Sequence, residues 1–226
     1  MRERRDNMNK KHIVVLGLDN FGMSTIKQLS KYNCETLAID KNLDRVEIAN
    51  EFATYAMQLN MQDVDDFEEL SLNSYDIAII TFKDIQTSIL TALVCKENKI
   101  PMVIAKANDK THKKILQKMD VDKIISPEEE MGIKLAKGIM NRSLIEMIDL
   151  SEDYSVVELN VQEKWNNKSL SELRLRSLYG LNVLCVKCKN KNIVISPLQD
   201  YVVKSGDILV GIALNERFYK KHAEDE

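Results

Sequence analysis

The chain reads as α/β, a doubly wound parallel sheet followed by a second, smaller α+β domain. Three observations predict this. From Lys11 to about Ser126, short apolar runs alternate with amphipathic stretches at helical spacing. A glycine-bearing turn, Gly17 to Gly22, joins the first apolar run to the first amphipathic stretch, and Asp40 closes the second run. After Asp149-Leu150-Ser151-Glu152-Asp153 the rhythm shifts to short alternating strands separated by polar turns.

Taken in order, the strands expected in the first part are His12–Leu16, Thr36–Ile39, Ala53–Met57, Ile77–Thr81, Met102–Ala105 and Lys123–Ile125. Helices are expected between them at Phe21–Lys31, Leu43–Asn50, Val64–Leu70, Gln86–Glu97 and Lys110–Met119. Strands without polar alternation are the kind buried on both faces of a parallel sheet, so the expected strand order is 3-2-1-4-5-6. Pro101 suits the start of a strand and Pro127 the first turn of a helix. Residues Glu128 to Ile148 read as one long helix, with Met131, Leu135, Ile139, Leu144 and Ile148 forming an apolar stripe that must pack on a second domain or a second subunit.

The second part shows strands at Ser155–Val161, Asn182–Val186, Ile193–Ser196 and Ile208–Ile212, one helix near Leu170–Ser177 and a polar helical tail from Asn215. Lys189-Asn190-Lys191-Asn192 and Lys204-Ser205-Gly206-Asp207 read as turns. A module of about 75 residues is marginal alone and gains stability by association.

The turn Gly17-Leu18-Asp19-Asn20-Phe21-Gly22 follows the G-x-G-x-x-G pattern of Rossmann-like dinucleotide folds with one letter changed. The first glycine permits the tight strand-to-helix turn, and the third lets the helix pack on the strand. The middle one lets backbone N–H groups approach a phosphate. Here that middle position is Asp19, whose side chain blocks approach and whose charge repels the phosphate that a helix N-terminus attracts. Asp40, at the end of the second strand, is placed to accept hydrogen bonds from ribose hydroxyls and would repel a 2′-phosphate.

Composition narrows the function classes. The chain has 226 residues, 44% hydrophobic and 30% charged, with a net charge of −3, the profile of an ordinary soluble protein rather than a nucleic-acid binder. Arg2, Arg4, Arg5, Lys10 and Lys11 make a basic start, which reads as a solvated tail. No apolar stretch is long enough to span a bilayer, so a membrane role would come through a partner. Four cysteines do not make a disulfide framework, and Cys185-Val186-Lys187-Cys188 lies in a strand pattern without a second pair to complete a metal site.

Several local motifs resemble the RCK family, the regulators of potassium conductance with TrkA-N and TrkA-C type domains, and in particular the cytosolic ring subunits of Ktr/Trk-type potassium uptake systems. They are Val103-Ile104-Ala105-Lys106-Ala107, Ile124-Ile125-Ser126-Pro127-Glu128, Met131-Gly132, and Ile148-Asp149-Leu150 followed by Tyr154 to Glu158. More specific still is the series Lys168-Ser169-Leu170, Leu173-Arg174-Leu175-Arg176, Tyr179-Gly180, Ser196-Pro197 and Lys204 to Asp207. On this resemblance residues 11–127 are the N-terminal nucleotide-binding domain, 128–150 a crossover helix and dimer contact, and 151–226 the C-terminal domain.

The resemblance implies a non-catalytic regulator, cytoplasmic and peripheral at the inner membrane face, that gates a membrane potassium-channel subunit. It implies a homodimer assembling to an octameric ring, with no nucleic acid and no insertion into the membrane. The first domain would bind ATP, ADP or NAD(H) through Gly17, Asp19, Asn20, Phe21, Gly22, Asp40, Thr81, Phe82, Lys83 and Lys106. Asp19 and Asn20 depart from the family's G-L-G-R-F-G. Losing that arginine removes a charge-assisted contact of roughly 1.5–3 kcal/mol. Lys83 stands where relatives carry small residues, and it either restores positive charge or is simply solvated. Glu128 corresponds to a carboxylate that reaches a divalent cation, and it equally suits the acidic first turn of a helix. In the C-terminal domain Leu170, Leu175, Arg176, Asn182, Val183 and Pro197 would line a two-fold cleft for cyclic di-AMP, with Arg176 holding phosphate. The alternative is a small NAD-dependent oxidoreductase or epimerase, which would need a proton donor near the nicotinamide; no Tyr-x-x-x-Lys constellation supplies one.

Overall fold

The computed structural model describes residues 10–62, 64–67, 70–140, 144–218 and 220. The basic start at Arg2, Arg4 and Arg5 lies outside the described residues. Two compact units divide the chain, one ending at Pro127 and the other beginning at Glu128.

The first unit is a six-stranded parallel sheet in the order β3-β2-β1-β4-β5-β6. Its strands are β1 (Lys11–Leu16), β2 (Cys34–Asp40), β3 (Tyr55–Gln58), β4 (Ile77–Ile80), β5 (Met102–Lys106) and β6 (Lys123–Ile125). Four helices follow strands in this unit: α1 (Asn20–Leu29) after β1, α2 (Leu43–Ala49) after β2, α3 (Ile85–Glu97) after β4 and α4 (Lys110–Lys118) after β5. Val14, Leu16, Leu37, Ile80, Val103 and Leu116 belong to the core on one side of the sheet; Ile13, Val15, Ala38, Ile26 and Val46 form the other. Alternate residues of the same strand feed opposite cores, as expected of strands buried on both faces.

The expected helix at Val64–Leu70 is instead a single 3-10 turn, Val64–Phe67, with residues 68 and 69 outside the described set. Asp65 and Asp66 hold it short: such side chains compete for backbone groups, and the Asp66 carboxylate accepts from the Gln62 N–H at 2.9 Å.

The helix α5 (Pro127–Met140), which belongs to the second unit from Glu128 on, is followed by strand β7 (Leu144–Asp149), which corrects the single helix expected from Glu128 to Ile148. The apolar spacing of four holds for Met131, Leu135 and Ile139 but slips to five at Leu144. There β7 pairs antiparallel with β8 (Tyr154–Asn160), and the ladder satisfies its backbone. With β9 (Leu181–Lys187), β10 (Ile193–Ile195) and β11 (Ile208–Leu214) these make a five-stranded sheet ordered β10-β9-β11-β8-β7.

The helix expected at Leu170–Ser177 is two short ones, α6 (Leu170–Leu173) and α7 (Leu175–Tyr179), because Arg174 between them is left-handed at φ +46°. A capping box opens α6: the Ser169 hydroxyl accepts from the Glu172 N–H, and the Glu172 carboxylate accepts from the Ser169 N–H at 2.7 Å. Beneath the sheet Trp165 and Tyr179 meet edge to face, centroids 5.4 Å apart, inside a core with Leu159, Leu181 and Leu209. The Asn215 tail is helical through Phe218. No helix of the described residues is long and apolar enough to cross a membrane.

Candidate functional site

In the first unit β1 and β4 are neighbours in the sheet although not in sequence, so the chain turns away in opposite directions beyond their carboxyl ends. Such a switch point opens a crevice. Gly17 closes β1 at φ +96°, where a Cβ would lie 3.0 Å from the ring of Phe82. Its N–H donates to the Ile39 carbonyl at 2.8 Å, and its carbonyl accepts from the Thr81 hydroxyl at 2.6 Å. Gly22 leaves no room at all: a Cβ there would stand 2.2 Å from the Gly17 carbonyl oxygen. The first and third glycines of the turn are therefore required by packing alone.

The middle position behaves differently. Asp19 caps α1, one carboxylate oxygen accepting from the N–H groups of Phe21 and Gly22 at 3.0 Å each. Its other oxygen accepts from the Lys106 ammonium, which arrives from the end of β5. Lys106 is 2% exposed and Asp19 7%, so the pair is out of water. Asp40 is as deeply set: one oxygen accepts from the Leu18 N–H at 2.6 Å with the Arg45 guanidinium 3.5 Å away, and the other accepts from the Asn42 N–H at 2.9 Å.

Of the ten residues expected here, Gly17, Asp19, Asp40, Thr81, Phe82 and Lys83 line one crevice of about 220 Å³. Phe21 and Gly22 form the adjoining first turn of α1, with Asn20 exposed beside them, and Lys106 stands behind Asp19. Sequence reasoning missed Lys41, Arg45, Asn60, Met61 and Thr87 on the same walls. Arg45 was visible as the basic residue five positions beyond Asp40, in the first turn of the helix that follows; Met61 comes from an irregular loop and carried no signal. Lys83 is exposed, its carbonyl tied to the Asn108 amide at 2.8 Å.

A second concavity, of about 680 Å³, lies in the second unit and contains all six residues expected there: Leu170, Leu175, Arg176, Asn182, Val183 and Pro197. The left-handed Arg174 redirects the chain so that α7 presents Arg176. Gly180 at φ +64° then turns it into β9, which carries Asn182 and Val183. A register shift in β11 opposite them is permitted by Gly211, where a Cβ would sit 2.5 Å from the Asn182 carbonyl oxygen. The Pro197 segment is strapped to α6 by the N–H groups of Leu170 and Ser171, which donate to the carbonyls of Tyr201 and Gln199. Arg174 and Arg217 also line the concavity, two cations that sequence reasoning missed.

Glu128, Glu129 and Glu130 occupy the first turn of α5, where carboxylates favour the helix dipole. Among the described residues no group of three or more His, Cys, Asp or Glu could hold a metal ion. Cys185 belongs to β9, and Cys188 just beyond lies 3.4 Å from the Tyr201 hydroxyl; that contact and burial push the phenol up to about 12.

The model of the TrkA-N domain family matches residues 13–127. The chain is 34% identical over 204 residues to Ktr system potassium uptake protein A of Bacillus subtilis, covering 90% of this chain and 91% of that protein. It is 32% identical over 212 residues to the Vibrio alginolyticus protein of the same description, covering 93% and 96%. In fold it is similar to the GsuK channel bound to NAD, with a TM-score of 0.64 at 18% identity over 93% of this chain and 38% of that one. A family match across the first unit and potassium-uptake relatives matched along nine-tenths of their length carry one conclusion: the chain belongs to the TrkA-N family, as a relative of the Ktr system potassium uptake proteins.

Proposed function

We propose that this chain is a non-catalytic regulatory subunit of a potassium uptake system, held at the inner membrane face by a channel subunit and responsive to ligands in both units. The observation that carries this reading is the similarity to the Ktr proteins along nearly the whole chain, second unit included. In the first unit the crevice at the switch point, with Asp40 at the end of β2, suits the ribose of a nucleotide-type ligand, the class to which ATP, ADP and NAD belong.

The second concavity suits cyclic di-AMP. Leu170, Leu175, Val183 and Pro197 offer apolar surface to purines, and Arg174, Arg176 and Arg217 offer planar donors to phosphates. A two-fold ligand calls for a two-fold site, so two copies of the unit share one molecule. Exposed Met131, Leu135 and Ile139 run along one side of α5, and a groove of about 250 Å³ between α5 and β7 is lined by Ile133, Leu144 and Met147. These surfaces support pairing of the chain and a ring of such pairs. Among the described residues no group of three or more His, Cys, Asp or Glu gathers at the acidic turn of Glu128 to hold a divalent cation.

The test is potassium flux into vesicles carrying a Ktr-type channel subunit, with and without this chain. Flux that rises or falls with added chain and responds to cyclic di-AMP supports the reading. Flux indifferent to the chain contradicts it.

A further inference from the structure

We infer that the crevice of the first unit takes a ribonucleoside without phosphate, because the Asp19 carboxylate already holds the place a phosphate would take. The inference rests on the reading above that this crevice binds a nucleotide-type ligand, and it narrows that ligand's class. An anion at the start of the helix after β1 is bound by two things, the first free N–H groups of the helix and a nearby cation. Both are engaged by the protein itself: the N–H groups of Phe21 and Gly22 donate to one oxygen of Asp19, and the Lys106 ammonium donates to the other.

The same closure recurs along this edge of the sheet. Asp84 caps α3 by accepting from the Thr87 N–H and hydroxyl, Asp109 caps α4 by accepting from the His112 N–H, and Asn42 caps α2 by accepting from the Arg45 N–H. Each of these four helix N-termini thus has an acidic or amide side chain of the protein itself at its cap, and at α1 that side chain takes two N–H groups at once. An entering phosphate would have to expel a buried carboxylate from its three donors and then sit beside it. The cations on the rim do not reverse this: Arg45 faces Asp40, the charge of Lys41 already acts on Asp84, and Lys83 stands on the outer wall. All three are exposed, where attraction to a phosphate is screened by water and salt.

What remains suits a sugar and a base. Asp40 uses three of the roughly four acceptor positions of a carboxylate on Leu18, Asn42 and Arg45, leaving one for a ribose hydroxyl. Leu59, Met61 and Phe82 give the crevice its apolar surface; beside them the Asn60 amide donates to the Gln62 carbonyl oxygen at 3.1 Å, leaving the Asn60 oxygen and the Gln62 amide nitrogen to read a base edge. At about 220 Å³ the crevice falls below the roughly 300–1,000 Å³ of pockets that enclose larger ligands.

A phosphate ladder on the full-length protein decides the matter: calorimetry with adenosine, AMP, ADP, ATP and 2′-deoxyadenosine. The expected result is binding of adenosine, affinity falling about tenfold or more from adenosine to ATP, and loss of about tenfold for 2′-deoxyadenosine. Asp19→Gly removes the side chain and frees the N–H groups of Phe21 and Gly22 together with the Lys106 ammonium, so it should reverse the order and favour ATP. The wild-type ladder stands without that variant, should it fail to fold. ATP or ADP binding as tightly as adenosine would overturn the inference while leaving a nucleotide sensor intact. Equal binding of 2′-deoxyadenosine would overturn the ribose assignment. No binding of any ladder member would overturn the nucleoside inference and the first-unit ligand together, and leave the cyclic di-AMP reading to its own test.

Discussion

Asp19 and Lys106 form a buried ion pair that joins the turn after β1 to the end of β5, across the mouth of the parallel sheet. The carboxylate serves a helix N-terminus and an ammonium at once, so the pair ties backbone to side chain over a sequence distance of 87 residues.

Removing one member of such a pair leaves the other charge buried. Lys106→Met should therefore lower unfolding stability by about 3 kcal/mol or more, since breaking buried pairs costs roughly 3–5 kcal/mol. The double variant Asp19→Asn with Lys106→Met should recover at least half of that loss. Urea denaturation of the three proteins checks both outcomes, and an undiminished loss in the double variant would show that the cost lies elsewhere.

Gly22 is a glycine that packing demands, and Gly132 is one that it does not. Gly22→Ala forces a methyl against the Gly17 carbonyl oxygen and should destabilise by about 1–3 kcal/mol or more. Gly132→Ala, exposed in α5 with nothing within 4 Å of the new methyl, should instead stabilise by about 0.5–1 kcal/mol. Thermal melts of the two variants should move in opposite directions.

Much of the first unit was legible because strands buried on both faces must be apolar throughout, and Ile13 to Leu16 or Ile77 to Ile80 admit no other placement. The misplaced elements are those where local and tertiary demands differ. Leu144 to Asp149 carries apolar residues at spacings that suit a helix or a strand, and only pairing with β8 decides. Arg174 breaks a helix without glycine or proline to announce it. The six residues expected around Arg176 do converge on one concavity. Asp19 was visible as a departure from the glycine pattern, but not its partner: nothing in the sequence brings residue 106 to residue 19 until the order of strands β1, β4 and β5 is known.

His112 is fully buried on α4, and its Nδ1 accepts from the Asn108 N–H at 3.2 Å. Burial holds its pKa below the ordinary value of about 6.5. The unfolded chain therefore binds the proton more readily than the folded one, and the stability contributed by the neutral ring is fully present above the unfolded pKa. It is lost as pH falls through the folded pKa. Urea midpoints should drop from pH 7.5 to pH 5.5, and His112→Gln should flatten that dependence; an equal slope in the variant would remove His112 as its source.

Pairing of the chain should depend on the exposed side of α5. Light scattering at micromolar concentration should give a dimer or a larger even assembly, and Leu135→Glu with Ile139→Glu should shift it toward monomer. Both positions are more than 60% exposed in the single chain, so neither change should unfold it. A wild-type monomer would contradict this.

The central claim is that this is a ligand-gated regulator whose second unit holds one symmetric ligand between two copies, and calorimetric titration of the full-length protein with cyclic di-AMP tests it most directly. The account predicts one ligand per two chains, with Arg176→Ala weakening binding by roughly 1.5–3 kcal/mol, the range for hydrogen bonds to a charged group. One ligand per chain, or binding unaffected by Arg176→Ala, would place the ligand elsewhere, and no binding at all would contradict the claim outright.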